Sequence, residues 1–352
     1  MNNRYKRQTI LPQVGDSGQE KLSATKVLVV GAGGLGCAVL PYLVSAGVGT
    51  VGIIDHDVVE ESNLQRQVLY KESSVGKSKV EEAKKYLNGL NSSINIQTYH
   101  TKLDAGNAID LFHNYDVIVD ATDTIGLRYL INDASIITGK PFVYGSVFKF
   151  EGQVSVFNYK NGPTYRCLYP NKNTIVQSCT EAGVMGIVVG TTGMLQANEV
   201  IKMILGIGEV LSGELLIYNN LTNDQHKFKF QKNTSIVVDE NFFKNEHLSQ
   251  PEVEITAESA LKKECVFVDV RELHETPKLE IENNIRIPLS LLKNKLNGLD
   301  KDDEIILYCQ SGIRSLQAVH ILKEHEFTNV KSVQGGAVKM LVVLKEKQLN
   351  YQ

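Results

Sequence analysis

The sequence predicts an α/β protein of two units: a doubly wound, mostly parallel sheet followed by a smaller α/β unit. Two observations carry this. Short apolar runs ending in glycine or aspartate alternate with helical periodicity, and that alternation stops in a polar, weakly periodic stretch at 231–254 and then resumes. The 352 residues are enough for about two domains. The expected organisation is a first domain over 1–232, a linker over 233–252 and a second domain over 253–352.

Each element follows from local pattern. Val27–Val30 is a continuous apolar run closed by glycine, as a buried parallel strand should be. Leu35–Ala46 reads as a helix with Pro41 as a possible kink. Val51–Ile54 is a second strand ending at Asp55, Lys77–Leu90 an amphipathic helix, and Val117–Val119 a third strand ending at Asp120. Phe142–Asn158 alternates like strand around Gly145 and Gly152, and Thr191–Leu205 is a helix closed by Gly206. Beyond the polar stretch, Cys265–Val270, Ile305–Tyr308 and Val330–Val333 read as strands and Ser315–His325 as a helix.

Composition narrows the function classes. Hydrophobic residues make up 42% and charged residues 22%, which suits buried globular cores. With 37 basic against 40 acidic residues the net charge is −3, so no basic excess marks a dedicated nucleic-acid binder. No run approaches the ~18 apolar residues of a membrane span. The first residues are polar and lack the apolar core of a signal peptide. The five cysteines are odd in number and scattered, which argues against a disulfide framework and for a cytoplasmic protein.

Gly31-Ala32-Gly33-Gly34-Leu35-Gly36 fits G-x-G-x-x-G between a strand and a helix, where backbone N–H groups can approach phosphates at the positive helix end. Asp55, at the end of the next strand, is placed for ribose hydroxyls. Those residues alone suggest a nicotinamide or flavin cofactor. The block that follows Asp55, running through Asp57, Ser62, Asn63, Leu64, Gln65, Arg66 and Gln67, points elsewhere. A dinucleotide fold has no need of a guanidinium there, whereas attack on an α-phosphate does, because charge builds on the phosphoryl oxygens. Lys79 would add a second cation, and Asp123 in Asp120-Ala121-Thr122-Asp123 would hold Mg²⁺.

With Arg4-Tyr5-Lys6-Arg7-Gln8, these motifs resemble the MoeB/ThiF branch of the E1-like adenylyltransferases over residues 4–230, a Rossmann-like fold. The resemblance implies that Gly34, Asp55, Ser62–Arg66, Lys79 and Asp123 bind MgATP, with Asp57 and Thr124 in the same candidate set. It implies that Arg7 reaches the ATP of the other subunit of a homodimer. Thr124 stands where the family more often has asparagine. Relatives often carry zinc on two C-x-x-C pairs. Here Thr164 replaces the first cysteine of Thr164-Tyr165-Arg166-Cys167 and the second pair is missing, so structural zinc is expected to be absent. The family also places a cysteine at Cys179 near the activated carboxylate, and some members bond it to the substrate. Cys37 and Cys265 read as packing residues.

Cys309-Gln310-Ser311-Gly312-Ile313-Arg314-Ser315 follows a strand and opens a helix, which fans backbone N–H groups around the sulfur and stabilises a thiolate. Arg314 is expected to add positive charge beside it. With Asp269-Val270-Arg271, Ile287-Pro288 and Gly335-Gly336, the loop resembles the rhodanese active site, with Met340 where many rhodaneses have tryptophan.

Together the two resemblances imply adenylation of the C-terminal glycine of a small ubiquitin-like Gly-Gly sulfur carrier, followed by sulfur transfer from a Cys309 persulfide. The sulfur donor would be a cysteine desulfurase or thiosulfate. An NAD-dependent oxidoreductase and a non-catalytic carrier-binding or sulfur-sensing scaffold are the alternatives. Arg66, Lys79 and Asp123 together favour catalysis over both.

Overall fold

A computed structural model describes residues 3–170, 183–248 and 253–349. Its contacts divide the chain into two compact units, 1–248 and 249–352. The first holds an eight-stranded sheet: β1 (Lys26–Val30), β2 (Thr50–Ile54), β3 (Asn95–Tyr99), β4 (Val117–Asp120), β5 (Phe142–Phe148), β6 (Glu151–Phe157), β7 (Glu214–Asn219) and β8 (Gln225–Lys229). Their order is β3-β2-β1-β4-β5-β6-β7-β8. The first five are parallel and the last three pair antiparallel.

Strand order reverses between β1 and β4, where an open α/β sheet leaves a crevice at the carboxyl strand ends. The register aligns those ends, because Val30 faces both Ile54 and Asp120. Gly31, Asp55 and the Ala121–Asp123 turn therefore emerge on one edge. The helix Gly34–Ala46 continues through Pro41 and stops at Gly47, which takes the left-handed φ of 90°. Leu40, Leu43 and Val44 on it are fully buried, each contributing about 1.5–3 kcal/mol of apolar burial.

The helix expected over Thr191–Leu205 begins earlier and spans Gly186–Leu205. It lies on the glycine-loop helix closely enough that a Cβ on Gly193 would sit 2.7 Å from the Leu35 carbonyl oxygen. Polar β3 and β8 lack the apolar runs by which the central strands are recognised. β8 is exposed along its whole length, with Lys227 paired to Glu214.

The expected linker is folded in its first part. The helical turns Glu240–Phe243 and Lys244–Leu248 belong to the first unit, and Phe243 is buried. Aromatic residues and histidine in an otherwise polar stretch give it something to bury.

The second unit contains β9 (Glu254–Ile255), β10 (Val266–Asp269), β11 (Asn284–Arg286), β12 (Ile305–Tyr308) and β13 (Val330–Val333), all parallel in the order β11-β10-β12-β13-β9. Central β12 delivers Cys309, and its neighbour β10 delivers Asp269 opposite Tyr308. No described helix is long and apolar enough to cross a membrane.

Backbone proximity in the glycine loop sets a stability test. A Cβ on Gly36 would lie 2.1 Å from the Gly31 carbonyl oxygen, whereas at Gly33 the nearest atom is 3.8 Å away. Gly36→Ala should lower stability by about 1–3 kcal/mol, seen as a drop in the thermal midpoint, and Gly33→Ala should leave the midpoint nearly unmoved. Equal midpoints for the two variants would contradict this packing.

Candidate active sites

The crevice above β1 and β4 opens into a cavity of about 960 Å³ lined by Gly31, Gly33, Gly34, Asp55, Asp57, Ser62, Asn63, Arg66, Lys79, Asp123 and Thr124. Residues scattered from 31 to 124 thus converge on one space. Asp55 is anchored from below: its two oxygens accept N–H bonds from Ala32 at 2.7 Å and Asp57 at 2.8 Å. The loop is further tied down by the Tyr70 hydroxyl, which donates to the Ala32 carbonyl at 2.6 Å. Cys37 packs beneath it, fully buried, and burial pushes its thiol up to about 12. That suits the expected packing role.

The cations of the cavity are held in different ways. Lys79 is 6% exposed and its ammonium donates to Asp57 at 2.8 Å. The Arg66 guanidinium donates to the Ser62 carbonyl at 3.0 Å, which fixes the side chain without neutralising it. Among the described residues, Asp55, His56 and Asp57 are the one cluster of three metal-ligand-type side chains. Lys79 already occupies part of it. Asp123 is exposed to the cavity and accepts from the Thr124 hydroxyl at 3.3 Å.

Four residues of the expected site lie elsewhere. Gly36 serves the close approach to Gly31, Leu64 packs on the core, and Gln65 faces solvent with its carbonyl against Gly186. Arg7 is exposed on the helix Lys6–Thr9 and does not line the cavity of its own chain. Cys179 lies outside the described residues.

The cavity also holds residues not singled out from the sequence. Arg128 lies on the helix Ile125–Thr138, donates to the Thr122 carbonyl at 3.1 Å and covers the Tyr144 ring at 5.2 Å. Its Nε is 3.8 Å from buried Asp120, whose carboxyl is raised by that burial. Arg128 follows Asp123 by little more than one helical turn, and that spacing is the signal that could have marked it. His247, from the stretch expected to be linker, lines the cavity too and bonds Asp133 at 2.7 Å. Arg166 grips the same carboxylate bidentately at 2.7 and 2.6 Å.

In the Thr164–Cys167 segment, which resembles the first zinc-binding pair, the Cys167 sulfur accepts from the Thr164 N–H at 3.4 Å and the Asn233 N–H at 3.3 Å, with the Thr164 hydroxyl also at 3.3 Å. These are hydrogen-bond partners in place of thiolates, a donor set that does not suit a tetrahedral zinc ion.

In the second unit Cys309 is fully buried and its sulfur accepts from the Gly312 N–H at 3.1 Å and the Ser315 hydroxyl at 3.7 Å. Gly312, at φ 99°, turns the chain into the helix Ile313–Glu324. The Gly335-Gly336 pair lets the following helix approach, since a Cβ on Gly336 would meet the Cys309 carbonyl oxygen at 2.2 Å. Buried Arg271 binds Asp269 bidentately at 2.9 and 2.8 Å and reaches Gln310 of the loop at 3.3 Å. The Arg314 guanidinium, expected to add positive charge beside Cys309, forms a bidentate pair with Glu275 at 2.6 and 2.8 Å. That guanidinium holds the Glu275 carboxyl at about 2, well below the usual carboxylate range.

Comparison with known proteins agrees with both units. The ThiF family model matches residues 5–238 and the rhodanese-like domain model residues 255–341. The chain is 39% identical to the probable adenylyltransferase/sulfurtransferase MoeZ of Mycobacterium tuberculosis, over 95% of this chain and 91% of that protein. It is 36% identical to the probable molybdopterin-synthase adenylyltransferase of Porphyra purpurea, over 98% and 94%. The crystal structure of E. coli MccB with ATP shares the fold, with a TM-score of 0.59, 24% identity and coverage of 68% of this chain and 74% of that one. The chain belongs to the ThiF family and carries a C-terminal rhodanese-like domain.

Proposed function

We propose that the first unit adenylates the C-terminal glycine of a small ubiquitin-like sulfur carrier and that the second supplies sulfur to the activated carboxyl. The observation that carries this is one chain holding both a cavity with Arg66, Lys79, Arg128 and Asp123 and a cradled cysteine at a helix start. The 39% identity to an adenylyltransferase/sulfurtransferase along nearly the whole chain supports the pairing.

ATP takes the cavity, with Asp55 toward the ribose and the N–H groups at the start of the helix Gly34–Ala46 toward the phosphates. Arg66, Lys79 and Arg128 stabilise the charge that develops on the α-phosphoryl oxygens. Asp123, an exposed carboxylate with unused oxygen lone pairs, would hold Mg²⁺, which neutralises phosphate charge when bound. A carboxylate oxygen of the carrier attacks the α-phosphorus, pyrophosphate leaves, and an acyl-adenylate remains. The terminal sulfur of a Cys309 persulfide then displaces AMP directly, or displaces the Cys179 thiolate from a thioester formed when Cys179 expels AMP. A thiol attacks the Cys309 sulfur of the resulting acyl disulfide, which releases the carrier thiocarboxylate and leaves a disulfide.

Asp123→Ala and Arg66→Ala should each cut carrier-dependent exchange of pyrophosphate into ATP by about 10²–10³. Cys309→Ala should leave exchange nearly intact and abolish thiocarboxylate, read by mass spectrometry of the carrier. Full exchange in both cavity variants would refute the adenylation assignment.

The working form is a homodimer. Ile187 at 62% and Met194 at 39% exposure lie along the helix Gly186–Leu205, and Tyr42 at 56% lies on the helix packed against it, apolar surface suited to a second copy. Arg7, outside its own cavity, would reach the partner's. Mixed Arg7→Ala and Asp123→Ala subunits should regain part of the exchange activity that each variant lacks alone. Proven heterodimers with no activity would keep Arg7 out of the site.

Structural zinc is expected to be absent, a reading supported by the Thr164 hydroxyl and the Asn233 N–H beside the Cys167 sulfur. Metal analysis should find well under one zinc per chain, and stoichiometric zinc surviving dialysis would overturn this.

A further inference from the structure

Three arginines around the Cys309 loop pair with carboxylates. Arg271 and Arg286 share Asp269, with Arg286 Nε at 3.2 Å, and Arg314 faces Glu275. The segment 271–275 runs along the loop from one end to the other: Arg271 reaches Gln310, the residue after Cys309, and Glu275 reaches Arg314 at the start of the helix. Glu275 is itself oriented, because its Oε1 accepts the Glu272 N–H at 2.8 Å. The pair is about a quarter exposed, with side chains at 28% and 23%. Lys339 lies on the first turn of the following helix with its stem against Gly335.

An inorganic donor such as thiosulfate carries two negative charges beside the sulfur to be transferred, and its capture depends on cationic charge at the loop mouth. We propose that Glu275 is a positioning residue that sets donor selectivity: by holding and neutralising Arg314 it disfavours dianionic thiosulfate relative to a thiol persulfide. This rests on Cys309 being the persulfide-forming residue. With thiosulfate, the Cys309 thiolate attacks the outer sulfur, the S–S bond breaks and sulfite leaves with the electron pair. With a thiol persulfide, the same attack on the terminal sulfur releases a thiolate. Both donors give the same Cys309 persulfide, so the difference lies in binding the group that departs.

The test follows persulfidation of Cys309 in the full-length protein by mass spectrometry, as the gain of one sulfur atom, across concentrations of thiosulfate and of cysteine persulfide. Glu275→Gln should lower the half-saturating thiosulfate concentration roughly three- to tenfold, with the maximal rate changing by less than about twofold. The cysteine persulfide curve should stay in place. Glu275→Asp, which keeps the charge, should behave as wild type, and adding Arg314→Gln to Glu275→Gln should undo the gain. In the wild-type protein the thiosulfate rate at limiting donor should change little between ~10 mM and ~150 mM ionic strength. A steep fall with salt would mean that an unneutralised cation already captures the donor, and would overturn the proposal even if the variant failed to fold. An unchanged thiosulfate curve in folded Glu275→Gln, or equal shifts for both donors, would overturn it as well. Absence of any sulfur gain at Cys309 with either donor would instead remove the persulfide assignment on which it stands.

Discussion

Backbone pressed against backbone at the glycine loop is the constraint on which the first unit depends. Gly36 sits where a Cβ would strike the Gly31 carbonyl, Gly34 where it would strike Val189 at 2.5 Å, and Gly186 where it would strike the Gln65 carbonyl at 2.5 Å. These contacts fix three pieces at once: the loop, the helix Gly186–Leu205 that backs it, and the ribbon carrying Arg66. Interiors are packed too densely for such approaches to admit even one extra methyl group without a shift. Gly33 differs, since no protein atom crowds it and its bare backbone faces the cavity.

The two units handle positive charge differently. In the first, Arg66 is held by a carbonyl, so its guanidinium keeps its full charge toward the cavity, while Lys79 and Arg128 sit against Asp57 and Asp120. In the second, Arg271, Arg286 and Arg314 all face carboxylates. A phosphoryl group accumulating negative charge needs preorganised cations. A cysteine whose sulfur is cradled by an N–H and a hydroxyl draws on local dipoles instead.

The segment before the second unit has a structural role of its own. His247 and Arg166 share the Asp133 carboxylate, Arg166 lies 5.0 Å over the Phe242 ring, and Phe243 is buried. These ties fasten residues beyond the ThiF-matched span to the cavity wall.

By itself the sequence determined the central strands β1, β2, β4, β10 and β12, because strands buried on both faces read as unbroken apolar runs. It also determined the two loops, because glycine spacing and a cysteine at a strand end are local chemistry. The edge strands β3, β8, β9 and β11 were not legible, since an edge strand is held by pairing with its neighbour and carries no apolar run of its own. Nor could the sequence show that Arg128 and His247 share a wall with Asp123, or that Leu64 and Gln65 turn away from it. Only the tertiary structure decided that Arg314 meets Glu275, a residue 39 positions earlier in the chain. An arginine's effect on a site depends on which charges lie within a few ångströms, and that distance is set by the packing of segments far apart in sequence.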